Sequence, residues 1–143
     1  MKTARQLLAE KAIDQVLSVT PQASVYQALQ VLAEKNIGAL LVMEEGRLVG
    51  IFSERDYARK VILLGKTSAG TPIAEIMTRK LLCVPPSATV DECMALMSEK
   101  RIRHLPVLEG ETVLGILSIG DLVREIIDAQ KLTIEHLEQY IHS

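Results

Sequence analysis

Gly50-Ile51-Phe52-Ser53-Glu54-Arg55-Asp56 is echoed 65 residues later by Gly115-Ile116-Leu117-Ser118-Ile119-Gly120-Asp121. Both stretches have the form G-h-h-S-x-x-D, in which h is apolar: a strand running into a helix start. Working outward at the same offset, Val19–Ile62 aligns with Val84–Ile127 without a gap. Of these 44 positions, 16 are identical, against about 3 expected by chance from ordinary residue usage. The chain is an internal duplication, and repetition at this period governs its architecture.

Each copy carries the same signals. Ser24 and Thr89 are helix N-caps, with Gln27 and Glu92 three residues on in the capping-box position. Val25, Ala28, Leu29 and Leu32, matched by Val90, Cys93, Met94 and Met97, give one apolar helical face. Ala39–Met43 and Leu105–Leu108 are strand-length apolar runs. Each is followed by a Gly-containing turn and a second strand, Leu48–Phe52 or Val113–Leu117. A second helix follows each hairpin, and a short strand is expected before the first helix, at Val16–Val19 and Leu82–Val84. The expected fold is α+β, two β-α-β-β-α repeats. A unit of this size makes a marginal core alone, so the expectation is that the two pack sheet to sheet with pseudo-two-fold symmetry. The expected segments are a leading helix in residues 1–15, repeats at 16–65 and 80–130, a linker at 66–79 and a separate trailing helix in 131–143.

Composition narrows the function. The chain has 143 residues, 48% apolar and 24% charged, with a net charge of −2 and 3% aromatics. That is ordinary globular composition, without the basic footprint or the stacking aromatics of a nucleic-acid binder. Two cysteines ten residues apart, Cys83 and Cys93, read as reduced thiols, and no apolar run is long enough to span a bilayer. The expected location is cytoplasmic. Gly65-Lys66-Thr67 is not a P-loop, because position 60 holds Lys where the motif needs Gly. The histidines lack metal-site spacing, no G-x-S-x-G elbow occurs, and no nucleophile has an evident base, so neither a metal nor an enzyme is expected.

The repeated junction has two readings that the residues leave open. Ser followed three residues later by Asp is a helix N-cap with a favourable first-turn acid. The same pair could bind a ligand: the hydroxyl and the helix-start N–H groups meeting a phosphate, the carboxylate receiving both hydroxyls of a ribose. Arg103 and His104 precede a strand in copy two, where copy one has Gly38 and Ala39. They are either solvated residues at a strand start or phosphate contacts. Arg55, with Arg59 and Lys60, lines a helix start in the same two-sided way.

The repeat, its G-h-h-S-x-x-D endings, the Arg103–Leu108 segment RHLPVL and the lead-in Ile76-Met77-Thr78 together resemble a tandem pair of CBS domains, the Bateman module, in a stand-alone bacterial-type protein. The resemblance implies a regulatory, signal-transducing module with clefts for an adenosine-containing ligand: AMP, ADP, ATP, NAD or S-adenosylmethionine. It implies that one cleft uses Ser118 and Asp121 with Ala23, Ala28 and Ile37. The other would use Ser53 and Asp56 with Ala88, Cys93 and Ile102, while Arg103, His104 and Arg55 supply phosphate contacts. It also implies a homodimer through the second helices, and a signal passed to a protein effector. The competing expectation is a dimerisation scaffold whose clefts stay empty.

Overall fold

The structure is a computed structural model, which describes residues 1–11 and 16–142. It divides into two compact units. One comprises Gln15–Leu82 with Gly110–Val113; the other comprises Met1–Asp14, Cys83–Glu109 and Leu114–Ser143.

In the first unit, β1 (Ser18–Val19) pairs parallel with β2 (Ala39–Glu44), which pairs antiparallel with β3 (Arg47–Ser53). Glu45 and Gly46 join β2 to β3 with φ of 51° and 78°, the two positive values of a type I′ turn, whose twist matches the strands. Helix α2 (Val25–Lys35) starts on Ser24 with both bonds of the expected capping box to Gln27. After β3 come α3 (Glu54–Tyr57) and a π-type turn at Ala58–Ile62. The chain stops there for a local reason. Gly65 takes φ of 72°, its N–H reaches the Ile62 carbonyl, and the Lys66 N–H reaches that of Val61. That is the pattern of bonds of a Schellman stop, and glycine takes the left-handed position without a Cβ penalty.

The short α4 (Ile73–Ile76) was not expected from the sequence, and it belongs to copy one. Ile73, Ile76 and Met77 are buried in one core with Val25, Ala28, Leu40, Val42, Phe52 and Val61. The Ile73 and Ala74 N–H groups donate to the carbonyls of Ala23 and Pro21, and Val25 N–H donates to Thr71. The Ile76-Met77-Thr78 lead-in, expected to introduce copy two, therefore closes copy one.

The second unit repeats this device with different residues. Helix α1 (Ala4–Glu10), capped by Thr3 and Gln6 as a full capping box, buries Ala4 and Leu7. Ala4 and Arg5 donate to Ala88 and Pro86, and Val90 N–H donates to Lys2. The expected strand at Leu82–Val84 reduces to a single parallel bridge between Val84 and Val107. Helix α5 (Val90–Lys100) starts on Thr89, although Glu92 takes the Thr89 hydroxyl instead of closing the box on its N–H. Strands β4 (His104–Glu109) and β5 (Thr112–Ser118) pair as neighbours. A single helix, α6, then runs from Ile119 to His142. The separate trailing helix expected in 131–143 is instead the continuation of copy two's second helix. The two are continuous because copy two has Gln130 where copy one has the stop glycine, Gly65. Residues 12–15 and 143, the ends of the expected leading and trailing segments, lie outside the described residues.

Candidate functional site

Each G-h-h-S-x-x-D stretch folds as a strand end that turns at once into a helix. The glycine of each permits a close approach, against backbone at Gly50 and against a side-chain methyl at Gly115. A Cβ on Gly50 would stand 2.6 Å from the Met77 sulfur and 3.1 Å from the Thr78 carbonyl oxygen. On Gly115 it would stand 2.9 Å from a Leu8 methyl. These glycines thus admit the lead-in segments, Met77 in copy one and Leu8 in copy two.

At the copy-one junction, Ser53 Oγ accepts from Asp56 N–H at 3.3 Å, and the Asp56 carboxylate accepts from Ser53 N–H at 2.9 Å. The cap reading is therefore realised, reciprocally. Asp56 is only 8% exposed, and its other oxygen accepts from the Thr78 hydroxyl at 3.1 Å. Lys60 forms an ion pair with that same oxygen at 3.1 Å and also donates to the Ile76 carbonyl. Helix start, lead-in and acid make one hydrogen-bonded cluster.

Copy two keeps the cap and changes the company. Asp121 accepts from Ser118 N–H at 2.8 Å, and Ser118 Oγ accepts from Asp121 N–H at 3.2 Å. Lys11 Nζ lies 2.9 Å from one carboxylate oxygen and donates to the Ile116 carbonyl at 2.8 Å. Arg124 pairs with the other oxygen. Burial pushes the Asp121 carboxyl up. The Ser118 N–H and the Lys11 ammonium outweigh that and hold it below the ordinary carboxylate range. His104, the first residue of β4, is part-buried. Burial first, then the positive charges of Lys11 and Arg103, lower its pKa against the opposing pull of Asp121.

One sequence-level expectation is corrected at both junctions. The N–H groups of the helix start were offered to a phosphate, but two of them are already bonded. Glu54 N–H donates to Gly38 and Ile119 N–H to Arg103, while the Asp N–H groups go to the cap serines. A strand that leads straight into a helix brings its neighbouring loop alongside, and that loop's carbonyl satisfies the first donor.

Of the other expected residues, Ala28 and Cys93 are wholly buried. Ala88 is nearly so, and its carbonyl is spent on α1. Ala23 and Ile37 are half-buried and pack against the core of copy one, and Ile102 is half-buried after α5. Arg55 and Arg103 are exposed. Within the second unit the structure gathers Ser118, Asp121, His104 and the Arg103 backbone; within the first it gathers Ser53 and Asp56. The sequence reading missed Thr78 and Lys11 as partners of the two acids. The available signal was the apolar pair before each, Leu7-Leu8 and Ile76-Met77, which lie 69 residues apart and so fall outside the 65-residue register. Among the described residues no group of three or more His, Cys, Asp or Glu side chains could hold a metal ion, and no helix is long and apolar enough to cross a membrane.

This arrangement, a duplicated β-α-β-β-α unit with a capped acid at each strand–helix junction, defines a class. The CBS domain family matches residues 6–62 and 73–128, and the chain belongs to that family as a CBS-domain pair. It is 49% identical to a CBS-domain protein from Burkholderia ambifaria MC40-6, with a TM-score of 0.86 over 90% of this chain and 96% of that one. It is 39% identical over 127 residues to the mitochondrial CBS domain-containing protein CBSX3 of Arabidopsis thaliana, covering 85% of this chain and 62% of that protein's length. It also resembles the CBS domain pair of protein MJ0100, solved in complex with 5′-methylthioadenosine and S-adenosyl-L-methionine. There the identity is 26% and the TM-score 0.79, over 90% of this chain and 98% of that one.

Proposed function

We propose that this chain is a non-enzymatic sensor. It binds an adenosine-containing ligand (AMP, ADP, ATP, NAD or S-adenosylmethionine) at its S-x-x-D junctions and passes the occupancy to a protein effector, as a homodimer. The observation that carries the reading is the pair of enclosed carboxylates, Asp56 and Asp121, each 9% exposed or less and fixed on a helix start by a serine. A carboxylate so placed is oriented, and a ribose would bind it by displacing partners such as Thr78 and Lys60, or Lys11 and Arg124. The adenosine ligands of protein MJ0100's CBS pair support the ligand class. His104, with its lowered pKa, would meet a phosphate as a neutral hydrogen-bond donor; the positive charge there belongs to Arg103. The free thiols of Cys83 and Cys93 suit a reducing compartment such as the cytoplasm.

A second reading has its own observation. Both carboxylates are already satisfied inside the fold, by Ser53, Thr78 and Lys60 or by Ser118, Lys11 and Arg124. A scaffold needs nothing more from them. Thermal unfolding with AMP, ADP, ATP, NAD and S-adenosylmethionine separates the two. A sensor gains about 2.7 kcal/mol at a hundredfold excess over Kd, which is roughly 5–10 °C in Tm for a chain of this size. The gain should shrink in Asp56→Ala and Asp121→Ala. No shift with any of the five ligands favours the scaffold.

A further inference from the structure

The Asp121 carboxylate is already taken by the protein itself. One of its oxygens receives the Ser118 N–H and the Lys11 ammonium, and the other receives Arg124. The Ser118 N–H belongs to the end of β5 and stays. A ribose diol needs both oxygens, so the two cations must yield. They do not yield alike. The Arg124 side chain is 70% exposed and can turn into water from its own helix. The Lys11 side chain is 24% exposed, and its ammonium also donates to the Ile116 carbonyl. Lys11 is the residue that ends α1.

Helix α1 is anchored unevenly. Its start is tied to the stretch before α5 by backbone bonds, from Ala4 to Ala88, from Arg5 to Pro86 and from Val90 to Lys2. Among the described residues no backbone bond ties its other end to the rest of the unit. That end rests on Leu8, which lies over Gly115, and on the Lys11 ammonium. Copy one is built otherwise. At the 69-residue spacing of the lead-ins, Thr78 corresponds to Ala9, which offers no polar group. Thr78 is also bonded through its backbone to Ile51 in both directions, at 2.9 and 3.0 Å. Asp56 can exchange the Thr78 hydroxyl for a ligand without freeing that lead-in.

We infer that α1 is a strap: Lys11 occupies the Asp121 carboxylate and surrenders it to a ribose-bearing ligand, so that binding at the copy-two junction releases the end of α1. The inference rests on the ligand reading of Asp121. Strap and ligand compete for one oxygen, so their effects are reciprocal, each weakening the hold of the other. Apparent affinity is reduced by the fraction of molecules in which Lys11 is away from the acid.

Calorimetric titration with AMP and hydrogen exchange of the α1 amides, both on the full chain, test the strap. Lys11→Met keeps the aliphatic stem and removes the ammonium. It should bind AMP about fivefold more tightly than wild type, or better. Losing a cation would by charge alone weaken a phosphate-bearing ligand, so equal or weaker binding would overturn the inference. Without ligand, Asp121→Asn should speed exchange at Leu7, Leu8 and Lys11 by about tenfold, while α5 and β4 keep their rates. Uniform acceleration, or none, would overturn it as well. Saturating AMP should loosen the same three amides in wild type, and bound AMP that leaves them unchanged would contradict release. AMP binding to neither protein would remove the ligand reading and release by ligand together. Faster α1 exchange in Asp121→Asn would then still show the clasp, so the two failures are distinct.

Discussion

In copy one the junction acid faces the neutral hydroxyl of Thr78, with Lys60 approaching from one helical turn further on. In copy two the equivalent acid lies between two cations, Lys11 and Arg124. The backbones match, down to the cap bonds and to the carbonyl that receives the next N–H. Two things differ. The segment that closes each copy, outside the duplicated 44 residues, supplies Thr78 in copy one and Lys11 in copy two; inside the duplicated residues, Lys60 reaches Asp56 where copy two has Glu125, and Arg124, the counterpart of Arg59, reaches Asp121.

The largest effect should come from unclasping either lead-in. Leu7 and Ile76 are 4% and 2% exposed. Leu7→Ala and Ile76→Ala should each cost about 2–5 kcal/mol by leaving a cavity, seen as loss of Tm. If either is tolerated without loss, that lead-in is not part of its copy's core. Next comes the asymmetry itself. Asp121→Ala strands a part-buried Lys11 and should cost about 2–4 kcal/mol. Asp56→Ala loses a cap and a hydroxyl partner while Lys60, 41% exposed, returns to water; about 1–2 kcal/mol is expected. Equal losses would erase the comparison. Thr78→Val should cost about 1 kcal/mol, because one neutral hydrogen bond to Asp56 disappears.

How far the sequence revealed this depends on which residues are asked. The junctions, the caps on Ser24 and Thr89, the apolar helix faces and the hairpins were readable, because each is a local pattern of period 2, 3.6 or i+3. The duplication itself was readable from identity. The lead-ins were not, because their pairing is long-range: Lys11 meets Asp121 across 110 positions, and Thr78 meets Asp56 only once β3 has paired with the stretch after α4. The fused α6 was a local matter misjudged. Nothing breaks the helix between Asp128 and Thr133, and the missing glycine at position 130 was visible.

The smallest expected effect is a pH dependence in copy two. His104 binds its proton less readily folded than unfolded, so the unfolded chain takes up more protons and stability falls as pH drops below about 6.5. Asp121 is the depressed-carboxylate case. Its contribution is present above about 3.8 and disappears as pH falls through its lower folded value. Thermal unfolding of His104→Gln between pH 7 and 5 should therefore be flatter than wild type. An identical slope would remove the histidine from the cluster.

The account rests on the two enclosed carboxylates being the grip on a ligand's sugar. The direct measurement is calorimetric titration of AMP, ATP, NAD and S-adenosylmethionine into wild type, Asp56→Asn and Asp121→Asn. Asparagine keeps an acceptor for the cap and removes the charge. At least one ligand should bind wild type, and the variant at its site should weaken it by tenfold or more. Binding of equal strength in all three proteins, or no heat from any of the four ligands, would contradict the account.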